Sequence, residues 1–167
     1  MDSRISLLAL LIVPMAQSEA PRPRLFLSAQ RLDKLRQEIH TTGADLWASL
    51  KNQADTIAAS HPPPYLPTPD LSGDQQNWEM PVGANLPYLA TAFVLTKDST
   101  YLNAAKEWAL ASCNYPTWGL RSYDGGDLAT GYQLLGLAIV YDWMHDDLDP
   151  TTRGAIRGTL IKRAYDV

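Results

Sequence analysis

The sequence predicts an all-α fold in which antiparallel helical hairpins stack into a superhelix or toroid. Three observations carry that expectation. Asp127 to Ala164 reads as a capped helical hairpin whose first helix is apolar on almost every side, and such a helix must lie buried between others. A second hairpin, Val82 to Asn114, precedes it at a spacing of about 45 residues, in the range of stacked helix pairs. Capping residues, finally, stand where apolar helical stripes begin, at Ser28, Asp98 or Ser99, Asp127 and Asp149. The two hairpins share no clear identity, which favours a degenerate superhelix or toroid over a regular solenoid. The chain holds too few helices to surround the Asp127 helix, so it is expected to be the front of a larger all-helical protein.

The elements follow in order. Arg4 precedes the apolar run Ile5 to Met15, and Ala16-Gln17-Ser18 satisfies the small-x-small cleavage pattern, so residues 1–18 read as a secretory signal peptide. Cleavage after Ala20 would place Pro21 first and is disfavoured. The apolar run is shorter than the about 20 residues needed to span a bilayer. The product is therefore expected to be secreted or periplasmic, with no membrane span after cleavage, and residues 19–167 form one helical domain.

Pro21-Arg22-Pro23-Arg24-Leu25-Phe26-Leu27 is an extended lead-in, since proline turns its predecessor away from helix. Ser28 then caps a helix, with Leu27 and Leu32 at hydrophobic-staple spacing and Leu35 and Ile39 continuing the stripe. A second helix runs from Ala44 to Ala59, with Leu46, Leu50, Ala54 and Ile57 on one face. Residues 61–73 hold five prolines and break the pattern, forming a long surface-wrapping loop. Helical periodicity resumes at Val82 with Leu86, Leu89, Ala90, Phe93 and Val94, ending near Lys97. The next helix carries Tyr101, Leu102, Ala105, Trp108, Ala109 and Ser112 and stops before Pro116. Asp127 caps the long apolar helix, which reaches about His145. Asp149 caps the last, with Pro150 in its first turn and Ile156, Leu160 and Ala164 as its buried stripe.

Composition narrows the functional classes. Hydrophobic residues at 46% and charged residues at 19% are ordinary for a globular domain. The net charge is -4, and the basic residues form no cluster, so a nucleic-acid partner is not expected. Cys113 is the only cysteine, which excludes an internal disulfide and reads as a packing residue. His40, His61 and His145 lack the spacing of a metal motif, and no phosphate loop, nucleophile elbow or Cys/His pair occurs. Tyr123-Asp124-Gly125-Gly126-Asp127 lacks the alternating ligands and distal Glu of a calcium loop and reads as a glycine turn before a helix cap. Neither metal nor cofactor is expected.

Pro23-Arg24-Leu25-Phe26-Leu27-Ser28-Ala29 resembles the opening segment of the heparinase II/III-like polysaccharide lyases. Further motifs similar to that family's N-terminal helical domain follow in the same order: Leu95-Thr96-Lys97-Asp98 with Tyr101-Leu102 and Ala104-Ala105, then Trp118-Gly119, Asp127-Leu128 and Tyr141-Asp142-Trp143. The resemblance covers the chain from Pro21 onward. It implies an incomplete (α/α) toroid, normally followed by antiparallel β-sheet domains, acting on uronic-acid polysaccharides of glycosaminoglycan or alginate type by β-elimination. Such a lyase neutralises the uronate carboxylate, removes the C5 proton and protonates the departing oxygen. In the family an Asn, Glu or His neutraliser, a Tyr and a His do this from later segments. Catalytic residues are thus expected C-terminal to Val167, and the chain alone is expected to be inactive.

Five residues are candidates for substrate contact, each with a structural alternative. Asn85 and Tyr88 stand near the start of an inner-type helix, where they face either a sugar cleft or the core. Trp118, Tyr123 and Tyr132 offer aromatic faces that stack on pyranose rings or pack internally. Asp142, in an apolar run, reads as a buried ion-pair partner of Arg121 or Arg153. Two other functions stay open. An (α/α)-barrel glycoside hydrolase would need two carboxylates across a scissile bond, drawn from Glu79, Asp124 and Asp127. A non-catalytic glycan-binding helical domain would need none.

Overall fold

A computed structural model describes residues 21–66, 74–119 and 128–165, with backbone alone for 74–77. Residues 1–18, expected to be a signal peptide, the end of the proline-rich segment, Tyr123 and Asp127, expected to be a helix cap, lie outside the described residues. Six helices follow one another: α1 (Ala29–Glu38), α2 (Ala44–Ala58), α3 (Asp74–Thr96), α4 (Ser99–Asn114), α5 (Leu128–Trp143) and α6 (Pro150–Tyr165). The protein is all-helical among the described residues. Helix α3 lies at the centre, against α1, α2, α4 and α5, while α6 packs on α4 and α5. The helices thus form two rows, α1-α3-α5 and α2-α4-α6, so that the α5/α6 hairpin stacks on α3/α4.

Caps set several of the boundaries. Ser28 Oγ accepts the N–H of Arg31 at 3.2 Å, Asp98 Oδ1 that of Thr100 at 2.8 Å, and Asp149 Oδ1 that of Thr152 at 2.9 Å. Leu27 and Leu32 are both buried, as the staple requires. Lys97 ends α3 in the left-handed region at φ 59°, a post glycine usually takes. Its ammonium reaches Asp147 at 2.8 Å and lies 4.6 Å from the Phe93 ring centroid. That pair ties the α3/α4 turn to the α5/α6 turn and holds the stacked hairpins in line.

Three expectations are corrected. Helix α3 begins at Asp74 rather than Val82 and carries Pro81 and Pro87 within it. Its early start is anchored by Trp78, which packs edge-on against Tyr65 and Tyr115, and by Glu79, which is fully buried. In α2 the stripe is buried only at Ala54 and Ile57. Leu46 stays 76% exposed because α1, α2 and α3 diverge there around an apolar depression lined by Leu35, Trp47 and Leu95. In α6, Ala164 is exposed and Arg163 takes the inward position, its Nη2 donating to the carbonyls of Tyr115 and Pro116 at 2.9 Å each.

The tightest approach in the core is between α3 and α5. A Cβ added to Gly83 would lie 2.4 Å from backbone atoms of Tyr132 and Gln133, and one added to Gly136 would lie 2.3 Å from the Gly83 carbonyl oxygen. Only glycine fits either position. The Gly83 carbonyl would ordinarily accept the N–H four residues on, but residue 87 is proline and has none. Freed from the helix ladder, that oxygen rests against the Gly136 backbone, the geometry of a Cα–H···O contact. Around the crossing, Leu86, Leu89, Ala90, Leu137 and Val140 are buried with no exposed surface.

The lead-in folds back over the end of α5. Asp142 accepts Arg22 Nη1 at 2.8 Å, the N–H of Arg24 at 2.6 Å and the N–H of Leu25 at 2.8 Å. Trp143 Nε1 donates to the Leu25 carbonyl at 2.8 Å, and the Arg22 guanidinium lies 5.2 Å from the Tyr141 ring centroid. Asp142 is buried and paired as the sequence suggested, but its partner is Arg22. Arg153 instead donates to the His145 carbonyl at 3.0 Å, and Arg121 lies outside the described residues. Proximity along the chain misled here, since Arg22 is 120 residues from Asp142. The clasp also offsets strain, because Phe26 leaves the lead-in at φ 57°, a region that costs a bulky side chain about 1 kcal/mol or more.

Replacing Gly83 or Gly136 with Ala is expected to lower stability by about 2 kcal/mol or more, because backbone must separate from backbone. Gly131→Ala, which points into open space, is expected to raise it by a few tenths to about 1 kcal/mol. Urea midpoints test both. Burial alone would raise the Asp142 carboxyl pKa, but the N–H groups of Leu25 and Arg24 and the Arg22 guanidinium outweigh burial and hold it below the usual range. Its stabilisation is therefore complete above the unfolded value, about 3.9, and is lost as pH falls through the lower folded value. Asp142→Asn is expected to lose about 3 kcal/mol at neutral pH and to show a shallower fall in unfolding midpoint below about pH 4.

Candidate functional site

The sequence-derived candidates separate into two groups. Asn85 is half-buried and Tyr88 is 40% exposed; because α3 begins at Asp74, Asn85 stands at its middle and Tyr88 beyond it, rather than near a helix start. Tyr132 is 41% exposed on α5, and its carbonyl group is the one packed against Gly83. The α3–α5 crossing sets the Tyr132 backbone against Gly83, with Asn85 about half a turn and Tyr88 about a turn and a half further along α3. Tyr132 also borders a shallow depression with Leu128, Gly131 and Leu135. Trp118 belongs to the other group. It is fully buried, its Nε1 donates to the Ser112 carbonyl at 3.1 Å, and the Arg163 guanidinium lies 4.9 Å from its ring centroid. Its ring is a packing surface, with no open face for a sugar. Tyr123 lies outside the described residues.

Beside Tyr132 runs a buried polar network. Glu79, fully enclosed, accepts Gln133 Nε2 at 3.0 Å and the N–H of Gly119 at 3.1 Å. Gln133 Oε1 accepts the Ser112 hydroxyl in turn. Gly119 adopts φ 109°, a conformation other residues rarely take, and this aims its N–H at the carboxylate. The network joins α3, α4, α5 and the segment after α4 through side chains that leave no buried acceptor idle. It also fixes the register of Tyr132, the residue beside Gln133. Tyr115 completes the edge of this layer. Burial, with the nearby Glu79 charge, pushes its phenol up to about 12, and its hydroxyl donates to the Pro63 carbonyl at 2.5 Å. Tyr65 Oη lies 2.7 Å from Thr117 Oγ1, so Tyr65 and Tyr115 together strap the start of the proline-rich loop across α3 and α4. The wrapping role expected of that loop holds for residues 61–66.

Chemically, this arrangement can present aromatic faces and an amide to a ligand. It shows no nucleophile beside a base. Glu79 cannot flank a glycosidic bond while fully enclosed, and Asp124 and Asp127 lie outside the described residues. Among the described residues no group of three or more His, Cys, Asp or Glu could hold a metal ion, and no helix is long and apolar enough to cross a membrane. No protein-family model matches the chain.

Sequence reasoning did not find the Glu79–Gln133 pair as a unit, although a signal existed. Gln133 is a polar residue in the apolar run of α5, and Glu79 stands between Trp78 and Met80, with Val82 and Leu86 continuing its face of α3. A buried carboxylate and a buried amide on adjacent helices need one another. Glu79→Ala is expected to cost about 3 kcal/mol, by stranding Gln133 Nε2 and the Gly119 N–H, and Glu79→Gln less. Thermal and urea unfolding measure the order.

Proposed function

We propose that this chain is the N-terminal part of an (α/α) toroid belonging to a secreted or periplasmic polysaccharide lyase, one that binds uronic-acid polysaccharide and cleaves it by β-elimination. The observation that carries this reading is the clasp between two of its family-like motifs, which occur in the family's order along the chain. Pro23-Arg24-Leu25-Phe26 and Tyr141-Asp142-Trp143, far apart in sequence, interlock through Asp142, Arg22, Leu25 and Trp143. The stacking of the α5/α6 hairpin on α3/α4 supports the reading, since a toroid is built by such stacking. The exposed rings of Tyr88 and Tyr132, with Asn85 beside Tyr88, supply the aromatic and amide contacts of a sugar-binding face.

The enclosure of Glu79 weighs against the glycoside hydrolase reading, since that residue was its one described candidate. In the lyase reading the groups that remove and return protons come from other parts of the enzyme, and this part contributes binding. The 167-residue chain is therefore expected to generate neither unsaturated uronate, seen by its ultraviolet absorbance, nor new reducing ends from heparin, hyaluronan or alginate. In affinity electrophoresis it is expected to be retarded by at least one of these acidic polysaccharides, and Tyr88→Ala is expected to weaken that retardation at least threefold. Equal retardation by neutral dextran, or none by any of the acidic polysaccharides, would sink the reading.

A further inference from the structure

Where α1, α2 and α3 diverge, they frame an apolar depression of about 230 Å³. Helix α1 contributes Leu35 and Ile39 to its walls, α2 contributes Trp47 and Leu50, and α3 contributes Thr91 and Leu95, all of them half-buried. The Thr91 hydroxyl donates to the Pro87 carbonyl of its own helix at 2.7 Å, so it is already satisfied. Small-molecule sites have this form: an apolar concavity between rigid elements, with a few polar groups at its edge. The frame is also fixed beforehand. Arg36 of α1 reaches the end of α3, its Nη2 donating to the Val94 carbonyl at 2.8 Å, and the Gly43 N–H donates to the Glu38 carbonyl at 2.8 Å to close the α1/α2 turn.

Charge gives the depression a direction. Helix α1 carries Arg31, Lys34 and Arg36, and two of these cations are engaged: Lys34 pairs with Glu38 at 3.4 Å and Arg36 with Asp33 at 3.2 Å. Among the described residues no carboxylate pairs with Arg31, which stands exposed at the edge of the depression. Glu38 borders it too, but Lys34 neutralises that carboxylate. Seven residues separate Arg31 from Glu38, two turns of α1 or about 10 Å. An entering molecule therefore meets apolar walls with an uncompensated cation at one end.

We propose that this depression binds a small amphiphilic anion, a carboxylate carried on one aromatic ring or a short alkyl chain. The apolar body lies against Trp47, Leu50 and Leu95, and the carboxylate meets the Arg31 guanidinium, whose planar fork of donors matches it. Size sets the class. An apolar cavity of about 150 Å³ admits benzene, so this one holds a single ring with a short acidic tail. The proposal does not rest on the glycan reading. Tyr88 does not line the depression, and a sugar would leave its hydroxyls unpaired against these walls.

Isothermal titration of the 167-residue chain with 3-phenylpropionate, and with 3-phenylpropan-1-ol as its uncharged counterpart, tests this. The acid is expected to bind with a Kd of about 1 mM or tighter, and the alcohol at least threefold more weakly. Arg31→Gln is expected to bring the acid down to the level of the alcohol and to leave the alcohol unchanged. Thr91→Leu and Leu50→Trp fill the depression from α3 and α2, and each is expected to weaken both ligands at least tenfold. Their thermal midpoints show that the fold is intact, so the loss is attributable to the filled space. Absence of binding by the acid overturns the proposal, and so does binding that neither filling variant weakens. Equal binding of acid and alcohol by the unaltered chain overturns the assignment of an anion to Arg31.

Discussion

The contact between Gly83 and Gly136 sets the distance between α3 and α5, and most of the architecture is positioned from that distance. With backbone against backbone, Leu86, Leu137 and Val140 meet at full burial, and Gln133 comes within hydrogen-bonding reach of Glu79. Any Cβ at the crossing would push the helices apart and open the polar network beneath it. Pro87, ordinarily a liability inside a helix, contributes here by releasing the Gly83 carbonyl toward the partner helix. The long α3 is thus held along its length: Trp78 and Glu79 at one end, the glycine crossing in the middle, and Lys97 bridging to Asp147 at the other.

The lead-in is a second organising constraint of a different kind. It contains no regular structure of its own, yet its backbone N–H groups and one guanidinium satisfy a carboxylate that α5 would otherwise bury alone. That exchange explains why an extended, proline-containing segment has a fixed course. It also explains how Phe26 is held at a positive φ while remaining 82% exposed.

The exposed tyrosines and the enclosed glutamate divide the labour of the candidate site. Tyr88 and Tyr132 are exposed, whereas Glu79, Gln133, Ser112 and Trp118 are enclosed, and the Glu79–Gln133 bond fixes the turn of α5 that carries Tyr132. A fully enclosed carboxylate, held by an amide and a backbone N–H, has its lone pairs committed to structure. The enclosed network is therefore committed to holding α3, α4 and α5 in place.

By itself the sequence determined what depends on neighbours along the chain. Helix periodicity, the Ser28, Asp98 and Asp149 caps, the staple at Leu27 and Leu32 and the break at the proline-rich segment are local, each written within about one turn of where it acts. Tertiary structure decided what depends on residues far apart. Arg22 rather than Arg153 pairs with Asp142 because the lead-in folds back across the molecule. Trp118 is sealed inside because Arg163, from the last helix, covers its ring. Leu46 stays exposed because three helices diverge around it, although its spacing matches that of Ile57, which is buried. Amphipathic periodicity says which face of a helix is apolar, but only packing says whether something arrives to cover it. The over-apolar α5 shows both sides. Its composition announced that other helices must surround it, and the fold covers one face with α3 through two glycines and leaves the ridge of Leu128, Tyr132 and Leu135 open.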